Sequence, residues 1–144
     1  MNSKFKKCLE RNKIKKFSVG PKLAQRELEL AGNDLVSAKK TFADKNYKWA
    51  TIQLYYSMFH SARALLYKQG YREKSHQCLI EGVRDLYVNR GLLDYGLIEA
   101  LQTAKILREN ADYYGDFKKG NAEKLKIKAE EFLKMAGKII KEIE

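Results

Sequence analysis

The run Tyr55-Tyr56-Ser57-Met58-Phe59-His60-Ser61-Ala62-Arg63-Ala64-Leu65-Leu66 decides the fold class. Wound at 100° per residue, its apolar side chains cover every face, and a helix that is hydrophobic all round lies at the centre of a bundle. His60 and Arg63 break that pattern. A polar group on or beside a core helix must find a partner or a purpose.

Upstream of this run, Leu28, Ala31, Leu35, Ala38 and Phe42 step by three and four, which predicts an amphipathic helix from Pro21 to near Ala43. Gly32-Asn33 sits inside it. A glycine there costs about 1 kcal/mol against alanine, but the apolar stripe keeps its phase, so one helix is predicted. Asp44-Lys45-Asn46 makes a short turn into the buried helix, residues 47–69, with Gly70 placed for a left-handed C-terminal cap. Short connections favour antiparallel neighbours.

Downstream, Ser75 can cap a third helix with Leu79, Val83 and Leu86 inward, which Gly91 ends. A fourth spans residues 94–114. Asn121 can cap a last helix whose inner positions include Leu125, Ala129, Phe132, Met135, Ala136 and Ile139. No strand pattern competes. The expectation is an all-α, four- to five-helix up-and-down antiparallel bundle over residues 21–144.

A chain of 144 residues suits one domain that buries about two thirds of its unfolded surface. The net charge of +11 is unevenly spread, because residues 1–16 hold Lys4, Lys6, Lys7, Arg11, Lys13, Lys15 and Lys16 against Glu10, while the body is nearly neutral. Residues 1–20 therefore read as a basic, partly disordered arm. Such an arm can touch phosphates without reading sequence, Lys13, Lys15 and Lys16 being the candidate contacts.

Cys8 and Cys78 lie far apart with no C-x-x-C spacing, so a reduced cytoplasmic protein is the plain reading and a disulfide the minority one. No apolar stretch approaches the roughly 18 residues of a membrane span, and no apolar signal core follows Met1. There is no P-loop, no G-x-G-x-x-G and no histidine or cysteine pair at metal-ligand spacing. No metal and no cofactor are expected.

On the fourth helix Leu97, Leu101, Ala104, Arg108 and Ala111 share one stripe, with Asp112 one turn beyond Arg108. Either Asp112 satisfies the guanidinium, or the stripe opens into a cleft or a subunit interface. In the second case the flat fork of Arg108 suits a phosphate.

Arg108-Glu109-Asn110-Ala111-Asp112-Tyr113 resembles the arginine motif on the late helix of the HEPN domain family. The family's other parts precede it in order: Asp34-Leu35-x-x-Ala38, then Tyr55-Tyr56-x-x-Phe59-His60-x-Ala62-Arg63-Ala64-Leu65-Leu66, then Ser75-His76. The resemblance implies a helical bundle, usually a homodimer, often encoded with a small nucleotidyltransferase as a toxin and antitoxin pair. Some members are metal-independent ribonucleases, whose site across the dimer uses an arginine followed four to six residues later by histidine.

This chain departs from that pattern, with Asp112, Tyr113 and Tyr114 in the window and no histidine after His76. Metal-free RNA cleavage needs proton transfers and a cation on the phosphate. His76 is the only substitute acid or base, while His60 reads as a satisfied core histidine. The leading expectation is an RNA- or nucleotide-binding HEPN module with a nucleotidyltransferase partner, its contacts being Arg108, Asp112, Tyr113, Ser75, His76 and the arm lysines. Two alternatives stand beside it: a ribonuclease toxin using Arg108 and His76, and a protein-binding bundle without nucleic acid.

Overall fold

The computed structural model describes the backbone of residues 2–114 and 117–142 and, outside 111–114, their side chains. The elements run α1 (Ser3–Glu10), β1 (Ile14–Lys16), α2 (Gly20–Ala43), α3 (Tyr47–Lys68), β2 (Tyr71–Glu73), α4 (His76–Val83), a π-helical continuation (Arg84–Val88), α5 (Tyr95–Tyr114) and α6 (Lys119–Glu142). The fold is the expected all-α bundle.

α3 is its axis. Ala50, Leu54, Met58, Ala62, Ala64, Leu65 and Leu66 are all at or near zero exposure, and the helix touches α2, α4, α5, α6 and β2. On α2 the small residues Ala31 and Ala38 are fully buried. They let the two helices approach closely enough for the Ser57 hydroxyl to donate to the Ala31 carbonyl at 2.9 Å. Phe132 of α6 fills the interior between them, also fully buried.

The helix ends follow their local chemistry. Asn46 accepts from the Trp49 amide at the start of α3, and Ser75 accepts from the Cys78 amide at 3.0 Å at the start of α4. Gly70 and Gly91 take φ values of +79° and +74°, the left-handed conformation that glycine reaches without a Cβ clash. α6 differs from expectation by opening at Lys119, two residues before Asn121. The π turn after α4 is tied down by Tyr87, whose hydroxyl donates to the Leu65 carbonyl at 2.7 Å.

Residues 2–20 depart from the loose arm expected over 1–20. α1 and β1 are folded, and Phe5, Cys8 and Ile14 are buried. β1 pairs antiparallel with β2, Ile14 opposite Glu73, Lys15 opposite Arg72 and Lys16 opposite Tyr71. The Asn2 amide donates to Asp85 at 3.0 Å, and the Phe5 ring meets Tyr71 edge to face. Three buried apolar residues among seven cations are too few for a visible period, yet each packs against the bundle.

The expectation of two reduced cysteines is corrected as well, because Cys8 and Cys78 form a disulfide across 70 residues of sequence. Cysteine usage thus gives no reason to place the protein in a reducing compartment. No helix among the described residues is long and apolar enough to cross a membrane.

Candidate functional site at Tyr55, His76 and Arg108

α3, α4 and α5 bring three side chains together. Tyr55, in the middle of α3, is 1% exposed. His76, the first residue of α4, lays its ring alongside that of Tyr55 at 5.9 Å between centroids and against Phe59 at 4.6 Å. Arg108, four turns along α5, holds its guanidinium carbon 4.9 Å from the Tyr55 centroid and donates from Nη1 to the Tyr56 hydroxyl at 2.8 Å. The arginine of the apolar stripe and the histidine nominated beside it through the resemblance thus meet over one aromatic ring.

The Tyr55 hydroxyl lies 2.5 Å from His76 Nδ1. Burial pushes the phenol well above the ordinary tyrosine range, against the smaller opposing effect of Arg108, so Tyr55 keeps its proton. Among the described residues that proton has no other acceptor, and the phenol therefore donates to Nδ1. His76 is pushed the other way, below its ordinary value, first by burial and then by the Arg108 charge. A neutral imidazole accepting at Nδ1 carries its own hydrogen on Nε2. His76 is consequently a donor at Nε2.

Arg108 is incompletely satisfied. Its Nε is buried and, among the described residues, has no hydrogen-bond partner. Asp112 and Tyr113 were expected beside it, but their side chains lie outside the described residues.

A second polar group lies on the other flank of Phe59. Arg63 grips Glu73 with Nε and Nη2, the shortest contact being 2.6 Å, and its guanidinium stacks 4.4 Å above the Phe59 ring. Burial alone would lower the Arg63 pKa, but Glu73 outweighs it and the net shift is upward. His60 donates from Nδ1 to Glu27 at 2.5 Å, with Nε2 3.7 Å from Asp34. Desolvation raises Asp34 even though His60 opposes it. His60 is the satisfied core histidine that the sequence suggested, and the carboxylates beside it and Arg63 explain why two polar groups are tolerated on a core helix.

Among the described residues no group of three or more histidine, cysteine, aspartate or glutamate side chains is placed to hold a metal ion. What the arrangement offers is a set of aromatic faces with an arginine and a neutral histidine directing donors from them. Such a set suits an oxyanion carrying more than one acceptor oxygen.

The profile of the HEPN domain family matches residues 24–144. The chain belongs to the HEPN family. It is 35% identical over 119 residues to a protein of Methanocaldococcus jannaschii with the provisional name toxin MJ0605, a match covering 81% of this chain and 87% of that relative. A second protein of the same organism, provisionally named toxin MJ0142, is 29% identical over 115 residues, covering 78% of each.

Within this HEPN chain the expected contacts divide into three groups. His76 and Arg108 converge, whereas Ser75 is occupied in capping α4. Lys13, Lys15 and Lys16 lie in the β1 region, on the approach to β2 instead of on a free tail. Tyr55 and Tyr56 were read as core, and their role at the site was missed because periodicity reports burial and not what a hydroxyl touches. Glu27 and Glu73 left no signal at all, since each acts through a partner distant in sequence.

Proposed function

We propose that this protein is a HEPN toxin module that binds RNA or nucleotide phosphate at the Tyr55, His76 and Arg108 cluster. The observation that carries the reading is the pairing of a neutral, donating histidine with an arginine whose Nε has no partner among the described residues, both on one buried tyrosine. A phosphate offers several acceptor oxygens, which suit the imidazole Nε2–H and the fork of the guanidinium together. The toxin-named relatives support the toxin assignment. The HEPN resemblance further nominates a homodimer and a nucleotidyltransferase antitoxin as its partners.

Cleavage is the second reading, favoured by the presence of a histidine beside the phosphate-binding arginine. An imidazole whose Nδ1 is held and whose Nε2 carries a hydrogen can act as an acid, but it leaves the 2′-hydroxyl without a base. Binding is therefore the stronger function.

The test is fluorescence anisotropy of a short labelled single-stranded RNA with the intact protein, alongside electrophoresis of the same RNA without metal. Arg108→Ala and His76→Gln should each weaken binding about ten- to hundredfold, the range of one charge-assisted contact, with unchanged helical circular dichroism. Unchanged affinity in both variants would overturn the reading. Metal-free cutting that both variants abolish would replace binding with catalysis.

A further inference from the structure

We propose that the outward face of the β1–β2 pair, formed by Lys13, Lys15, Arg72 and Lys74, is a second contact surface for single-stranded RNA that tracks its phosphate backbone. This rests on the reading of the protein as an RNA binder and adds a surface outside the Tyr55 cluster.

Alternation along the strands builds the face. Ile14 and Glu73 are register partners and both are buried, so they point into the bundle. Their neighbours at 13, 15, 72 and 74 point outward. Lys15 lies directly opposite Arg72, and the Lys74 amide donates to the Lys13 carbonyl at 2.7 Å, which brings the second pair of cations across from one another. Like charges directly opposite on paired strands are destabilising. A charge that merely guards a strand edge against aggregation needs no such opposition.

Among the described residues none of these four cations makes an ion pair, although Lys39, Arg63, Arg84, Lys105 and Lys128 all do. Glu73 points inward, where Arg63 holds its carboxylate. The crowding lowers the affinity of the Lys74 amine for its proton, chiefly through Lys15. An outside anion would relieve all of this at once.

The occupant is RNA and not an acidic protein segment because the face carries a stacking partner as well as charge. Phe17 follows β1, with the Arg72 guanidinium 5.4 Å from its ring, and together with Lys15, Lys16 and Lys74 they line a hollow of about 580 Å³. An aromatic face among backbone cations is the arrangement used for unpaired nucleotides. The strand also leads to the site, since Lys74 is followed by Ser75 and then His76. A nucleic-acid strand lying on this face is delivered to the beginning of α4.

The experiment titrates the full-length, disulfide-intact protein with labelled oligouridylate at several KCl concentrations. Arg72→Gln with Lys74→Gln should reduce the slope of log affinity against log salt by about 1.4, two single-strand contacts at roughly 0.7 each. Lys39→Gln with Lys128→Gln, which removes the same charge from paired surface positions, should leave it unchanged. Removing the opposed cations should also raise the thermal midpoint without RNA, which shows that the variant is folded. An equal slope change in both double variants, or none in either, overturns the proposal. So does polyglutamate that competes as well as oligouridylate of equal charge. If Arg108→Ala leaves RNA binding intact while the 72/74 variant weakens it, the Tyr55 cluster fails and this face stands; the reverse pattern removes this face and keeps the cluster.

Discussion

Between Gly20 and Ala43 the chain buries Ala24, Leu28, Ala31, Leu35 and Ala38 at regular helical spacing, whereas residues 2–16 bury only Phe5, Cys8 and Ile14. The first set makes one stripe that any apolar groove of the right length could accept. The second set is held by individual pairings: Asn2 with Asp85, Phe5 with Tyr71, Cys8 with Cys78 and Ile14 beside Glu73. Gly82 makes room for this clasp, since a Cβ there would stand 3.0 Å from Leu66, 3.2 Å from Ile14 and 3.5 Å from Phe5. The bundle is thus held by summed area, and the N-terminal clasp by a few specific contacts laid over it. Loss of one contact should be felt globally in the bundle and locally in the clasp.

The largest expected effect tests the bundle half of that contrast. Phe132→Ala removes a fully buried ring and should destabilise by about 3–5 kcal/mol. Urea unfolding followed by circular dichroism and by hydrogen exchange should show every helix losing protection together. Loss confined to α6 would break the contrast, because the bundle would then not be one cooperative unit.

Reducing the disulfide tests the clasp. Closing a loop of 70 residues stabilises by about 2–4 kcal/mol in the usual range, and here that loss should fall on α1, β1 and β2. In dithiothreitol, or in Cys8→Ser with Cys78→Ser, amide exchange should accelerate at residues 3–16 and 71–73, while α3 and α6 stay protected. Equal acceleration in α3 would show that the clasp and the bundle fold as one.

The smallest effect sharpens the contrast at the point where both regions meet the site. The pKa of His76 in the folded chain lies below its ordinary value of 6.5, so the fold favours the neutral ring. That contribution is fully present above pH 6.5 and is lost as pH falls through the folded value. Stability should decline as pH falls below about 6.5, and His76→Gln should decline less over the same range. Identical pH profiles for the two proteins would remove the argument for a neutral, donating His76.

Legibility followed the same division. α2 and α3 could be placed within a residue or two, because Asn46, Gly70, Ser75 and Gly91 act through their own backbone and the side-chain period reports which face is buried. Arg108 stood out as a cation in an apolar stripe, and His76 as a histidine at a helix start. Their meeting at Tyr55 was not legible, since it depends on how α4 and α5 are set against α3. The disulfide was read against, because spacing along the chain carries no information on the distance between Cys8 and Cys78 once six helices have been packed.

The sequence by itself determined that the chain is helical, where most of its helices begin and end, and that α3 lies at the centre. These are consequences of local propensity, capping and a 3.6-residue period, all of which act within about a turn or two. Only the tertiary structure decided that residues 3–16 are folded, that Lys15 faces Arg72, and that a tyrosine on α3 holds a histidine from α4 under an arginine from α5. Those facts rest on contacts between segments tens of residues apart. Their free energy depends on the shape that the packed helices leave for one another, which no local pattern encodes.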